Sequence, residues 1–225
     1  MTDIFREVDE DLRREQAKKL WDRFAPYVIG LAVLIVAVTA GYRGWVYWQE
    51  RQAAASGDRF LAALDLATAG KHTDAITALE GLAKDGSGSY PVLASFRIAA
   101  EKAGTGDVKG AVETFDAIAA NTSASSDIRS MARLRAAMLL VDTTPFPEFE
   151  KRIGDLASTG NVWRHSAREL LGLAAWRSSD YDAARKYFDM INTDQDSPQD
   201  LRQRAQLMLA LITARLGAPS AKAPG

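Results

Sequence analysis

The chain has 225 residues, a net charge of −1 and no cysteine. The missing thiols exclude disulfides, cysteine-type zinc sites and thiol catalysis, and a near-neutral balance lacks the broad positive field of nucleic-acid binders, so no nucleic-acid partner is expected. A length of this order accommodates one soluble domain with its own core beside a short anchor.

Residues 1–23 read as an amphipathic cytoplasmic helix. Ile4, Val8, Leu12 and Leu20 fall on one stripe, adjoined by Phe5 and Trp21, and the other face is charged in both signs, with Glu15 four residues before Lys19. Either a solvated juxtamembrane helix or one lying on the leaflet or on a partner fits this pattern. Pro26 is expected to end or kink the helix.

Residues 24–42, FAPYVIGLAVLIVAVTAGY, hold no charge between Arg23 and Arg43. As a helix the run spans roughly 28 Å, close to the hydrocarbon thickness of a bilayer, and reads as a transmembrane helix. Trp21 and Phe24 stand at one end and Trp45, Tyr47 and Trp48 at the other, where amphipathic rings meet headgroups; residues 43–50 form an interfacial aromatic segment. A cleavable signal peptide is the competing reading, since Val38 and Ala40 precede Gly41 as at a cleavage site, but the acidic residues ahead of the run are unlike a basic leader. Arg6, Arg13, Arg14, Lys18, Lys19 and Arg23 lie before the run and only Arg43, Arg51 and Arg59 in a comparable window after it. The N-terminus is therefore expected in the cytoplasm and, in a bacterium with two membranes, residues 51–216 in the periplasm. Ala37 with Gly41, and Ala40 with Gly44, have the spacing that lets two membrane helices approach, so self-association is open.

Beyond residue 51 the chain is alanine-rich and has no alternating β-branched runs. Helices are expected over 51–69, 73–84, 91–103, 107–119, 127–141, 147–157, 162–178, 181–191 and 199–216. The breakers are Gly70, Gly104 with Gly106, residues 121–126, 158–160 and 196–198. Ser197-Pro198-Gln199-Asp200 looks like a capped start. Ala75, Ala111 and Ala184 are each followed four residues later by Leu79, Phe115 and Phe188, and Phe149 fills the missing third place. A period near 34–37 made of helix pairs indicates a solenoid of about four helical hairpins. The last helix, with Leu201, Leu207, Met208, Leu211, Ile212 and Leu216, is expected to cap it, and residues 217–225 to form a disordered tail.

Leu171-Gly172, Asp180-Tyr181-Asp182-Ala183-Ala184, Phe188 and Pro198 together resemble a tetratricopeptide repeat. The likeness is good over 166–198, fair over 93–119 and weak over 58–83 and 127–157, where Pro145 and Pro147 replace the expected turn. The layout as a whole, with residues 3–10 (DIFREVDE) and 19–23 (KLWDR), resembles the alphaproteobacterial branch of the YfgM-like family of ancillary Sec translocon subunits. That resemblance implies a single-pass inner-membrane protein with a periplasmic domain, and protein partners among the export channel and periplasmic chaperones. An anchored adaptor for envelope assembly or cell division fits the same residues.

No catalytic or metal constellation emerges. His72 and His165 are isolated, and HExxH, CxxC and glycine-rich phosphate loops are absent. No enzyme and no cofactor or metal is expected, and both histidines read as surface or capping residues. Asn121-Thr122-Ser123 has the form of a glycosylation acceptor, without meaning outside a eukaryotic secretory route. Glu148, Glu150, Asp180 and Asp182 open helices, where the dipole favours negative charge. Basic residues predominate on the first helices of the hairpins and acidic ones on the second. A partner groove carrying Arg97, Arg129, Arg133, Arg164 and Arg168 is one reading, its guanidinium forks taking an acidic segment or a carboxylate terminus. Pairing of those arginines with acids of their own hairpins is the other.

Overall fold

The computed structural model describes the backbone of residues 3–216, and the side chains of Lys18, Trp21, residues 23–27 and residues 29–216. The apolar stripe over residues 1–23, apart from Trp21, and the tail at 217–225 lie outside the described residues. The chain divides into two units at residues 55 and 56, and no strand occurs among the described residues.

The first unit is helical: α1 runs Asp3–Thr68, its last turns belonging to the second unit. It continues through Pro26, so the expected break there does not occur. A proline deletes one i→i−4 bond and leaves the turns on either side intact, and in an apolar run that is otherwise a strong helix former the helix persists. This is the one helix among those described that is long and apolar enough to cross a membrane, by length and composition. Ile29, Leu31, Val33, Leu34, Ile35, Val36 and Val38 are all exposed. The Thr39 hydroxyl donates to the Ile35 carbonyl at 2.7 Å, so this polar group is satisfied within the helix. Past it, Trp45 and Trp48 lie with ring centroids 5.6 Å apart.

The second unit is a helical array: the last turns of α1, then α2 (His72–Asp85), α3 (Tyr90–Gly104), α4 (Val108–Ala120), α5 (Ser126–Leu140) and α6 (Phe146–Ile153). A 3-10 turn (Gly154–Ala157) follows, then α7 (Arg164–Arg177), α8 (Tyr181–Thr193) and α9 (Gln199–Leu216). From α2 on, each helix packs on its successor, and α5 with α7 and α7 with α9 also touch, the pattern of stacked hairpins.

Three hairpin turns share one construction. Gly70, Gly106 and Ser179 adopt positive φ (76°, 89° and 60°). The next amide donates five residues back: Lys71 N to Leu66 O, Asp107 N to Lys102 O and Asp180 N to Ala175 O, at 2.8–2.9 Å. This is the left-handed C-terminal cap that satisfies the last carbonyls of a helix. Asp107 and Asp180 then cap the following helices, accepting from Gly110 N and Ala183 N. The α5–α6 turn has no such residue. Pro145 leads directly into α6, which ends at Ile153 and passes into the 3-10 turn instead of continuing to 157. Here the end of α5 is closed from outside, by Arg177 of α7 donating to the Val141 carbonyl at 3.0 Å and to that of Thr144.

Packing rests on small residues opposite large ones. Ala75, Ala111 and Ala184 have no exposed surface, and Leu79, Phe115, Phe149 and Phe188 are buried beside them or in the equivalent places. One large apolar cluster extends from Leu134 to Ile212, and two smaller ones centre on Leu79 with Leu82 and on Phe115 with Ile118. Gly172 faces the Phe188 ring, where an added Cβ would stand 2.8 Å from Cζ.

Gly172→Ala therefore reverses the usual helix preference for alanine: overpacking costs about 1–3 kcal/mol, and Phe188→Leu in the same chain recovers part of it. Ser179→Gly is expected to raise the stability by roughly 1 kcal/mol, because an L-residue in the left-handed region costs about that much. Thermal and denaturant unfolding, followed by circular dichroism, check both.

Candidate partner-binding groove

Several arginines of the array pair with acids of the array. Arg133 forks onto Asp155, with Nη1 at 2.8 Å and Nη2 at 2.5 Å, and reaches the Arg152 carbonyl at 2.6 Å. Arg133 also holds the Asp155 carboxyl below the usual carboxylate range. Arg152 donates to Asp116, tying α6 to α4. Arg164 donates to Asp194 at 2.9 Å and Asp196 at 3.0 Å. Arg168 is 3% exposed and donates to the carbonyls of Ala157 and Met190 and, at 2.7 Å, to Asp194. Hydrogen bonds from Arg164, and then Arg168, hold the Asp194 carboxyl well below the ordinary range, against burial, which pushes it up.

Of the five arginines expected to line a groove, Arg133, Arg164 and Arg168 thus bind acids on the neighbouring second helix or the turn beside it. Arg97 pairs with Glu101 one turn on, in its own helix. Arg129 is half-buried, with its Nε hydrogen unbonded. His72 sits at the start of α2 with Nδ1 2.8 Å from Glu101, a buried carboxylate between α2 and α3. His165 is mostly covered and meets the Ser197 hydroxyl at 3.0 Å, so it is an interior residue and not a surface one; burial, then the charge of Arg164, lower its pKa. Among the described residues no three His, Asp or Glu side chains converge to hold a metal ion.

What remains open is the face made by the first helices of successive hairpins. Two cavities lie along it. One, of about 290 Å³, is bounded by Phe60, Leu93, Phe96, Arg97, Met131 and Arg135; the other, of about 210 Å³, by Met131, Leu134, Arg135, Met138, Trp163 and Glu169. Met131 and Arg135 belong to both, so α5 forms the ridge between them. Leu93 and Met138 are exposed apolar side chains on this face. The groove expected from the sequence includes Arg97 and omits Arg135. The signal was present: Leu93, Arg97, Ala100 and Met131, Arg135, Met138 repeat one i, i+4, i+7 pattern 38 residues apart. Further along, Glu169 is neutralised by Arg204 of α9, whose Nε and Nη2 reach its two oxygens at 2.6 and 3.3 Å.

Asp194→Asn leaves Arg168 buried without its counter-charge. The expected loss is about 3 kcal/mol, the low end for a broken buried pair, since two carbonyl bonds remain. The wild-type carboxylate contributes stability fully above its unfolded pKa of about 4 and loses it progressively as the pH falls below that value. Denaturant unfolding between pH 7 and pH 3 should show the wild-type advantage over Asp194→Asn shrinking on the acid side.

The family described as Tetratricopeptide repeat-like domain matches residues 18–214, a segment that takes in the apolar run as well as the array. No curated protein and no solved structure is a significant match. With most of its length so matched, the chain belongs to the tetratricopeptide repeat-like family.

Proposed function

We propose that this tetratricopeptide repeat-like protein is a single-pass inner-membrane scaffold. Its N-terminus is cytoplasmic, residues 24–42 cross the bilayer, and residues 51–216 bind protein partners in the periplasm, beside the Sec translocon and its periplasmic chaperones. The observation that carries the reading is the uncharged run with its apolar side chains exposed, in the same family segment as an array of stacked helical hairpins. An apolar helix with nothing over it in water is costly at about 25 cal/mol per Å², and a bilayer removes that cost.

The orientation rests on the excess of lysine and arginine before the run. The assignment to the export channel rests on the likeness of residues 3–10 and 19–23, and of the whole layout, to the YfgM-like family. Helical repeats act by presentation: an anchor confines the array to the membrane plane and raises the effective concentration of what it holds for its neighbours.

Alkaline washing of membranes is expected to leave the chain in the pellet, and protease added to spheroplasts to digest the array while sparing the first 23 residues. Crosslinking in intact membranes should recover a translocon subunit. Release into the alkaline supernatant, or an array protected in spheroplasts, would overturn the topology. Crosslinks to envelope-assembly or division proteins alone would replace the export assignment.

A further inference from the structure

The first-helix face has a chemistry more specific than a generic docking surface. Of the charged side chains bounding its two cavities, Arg97 is engaged by Glu101 and Glu169 by Arg204. Arg135 is exposed, forms no ion pair among the described residues, and is shared by both cavities. Around it the walls are apolar: Leu93 and Phe96 on one side, Met138 and Trp163 on the other, with Met131 between.

Resting on the scaffold reading, we infer that this face binds a partner segment in which two apolar side chains flank one carboxylate, the carboxylate meeting Arg135. At about 290 and 210 Å³ the cavities fall below the roughly 300–1,000 Å³ of a small-molecule site and suit one side chain each. The two lie on either side of α5, so the anchors stand about one interhelical distance apart, roughly 8–10 Å. About three residues of polyproline-II chain cover that distance and return both side chains to the same face. An acid between them reaches Arg135, the guanidinium bounding both cavities that forms no ion pair among the described residues, and a base at the same place meets like charge. Methionine at the shared wall and at one flank lets the cavities adapt to leucine, valine or phenylalanine.

The test uses the full chain in detergent micelles and three fluorescein-labelled peptides with the cores Leu-Glu-Gly-Leu, Leu-Lys-Gly-Leu and Ala-Glu-Gly-Ala, each in Ser-Gly flanks. Partition into micelles is common to all protein variants, so only differences between variants are read. Wild type is expected to bind the Leu-Glu peptide at least tenfold more tightly than either of the others, with affinity falling as salt rises. Arg135→Glu, an exposed change whose melting temperature should match wild type, should lose that binding and prefer the Leu-Lys peptide, and Arg135→Gln should bind both alike. Equal binding of all three peptides, or a preference unmoved by Arg135→Glu, would overturn the inference. So would concentration-dependent dimers, seen by sedimentation, that Arg135→Glu disperses, because a second copy would then be the occupant. If the peptides fail while membrane crosslinks to protein partners persist, the scaffold reading stands and this site falls; failure of both removes the scaffold reading as well.

Discussion

The array depends on helices approaching closely enough for one aromatic ring to fill the space over a residue with almost no side chain. Gly172 under Phe188 is one such case, and Ala111 and Ala184, small residues one turn before Phe115 and Phe188, are themselves wholly buried. A single hairpin buries too little to stand alone, so each depends on the next, and the apolar surface forms three clusters strung along the array. This dependence explains the alanine-rich composition beyond residue 51. Alanine is both the best helix former and the smallest side chain that keeps a Cβ, and at crossings the second property is the one the fold uses.

The same dependence assigns the arginines. Where the repeat turn carries a left-handed residue, backbone bonds close the first helix. Where Pro145 displaces that turn, Arg177 reaches across from α7 to close α5 instead. Arg164 and Arg168 converge on Asp194 and so hold the end of α8 against the start of α7, with Arg168 also binding the carbonyl of Ala157 before α7. These guanidiniums are connectors, and their charge is cancelled where it lies. Arg135, of identical chemistry, forms no ion pair among the described residues, the Glu169 that bounds one of its cavities being held by Arg204, and so its charge is available to something outside the chain. Neighbours, and not residue type, separate the two roles.

Much of this was legible from one dimension. The 36- and 73-residue offsets of Ala75, Ala111 and Ala184 mark the repeat, and the same offsets separate the positive-φ residues 70, 106 and 179. Helix limits were close wherever glycine or a capping aspartate stood at the end, and α9 begins and ends where expected. Local rules yield to stronger neighbours in two places: Pro26 does not break α1, and α6 stops short and continues as a 3-10 turn. His165 is interior because α7 turns it toward Ser197, a residue 32 positions away.

Periodicity, apolar run length and the distribution of basic residues lie along the chain, and so the helical class, the repeat and the membrane-length helix follow from sequence alone. Which arginine is free does not follow. A count of basic and acidic residues on alternating helices foresees a charged face, but ion pairing acts over a few ångströms between side chains tens of residues apart. Only the packed hairpins decide that Arg133, Arg164 and Arg168 are consumed and Arg135 is not, because only packing brings Asp155 and Asp194 within hydrogen-bond reach of the first three and no carboxylate to the last.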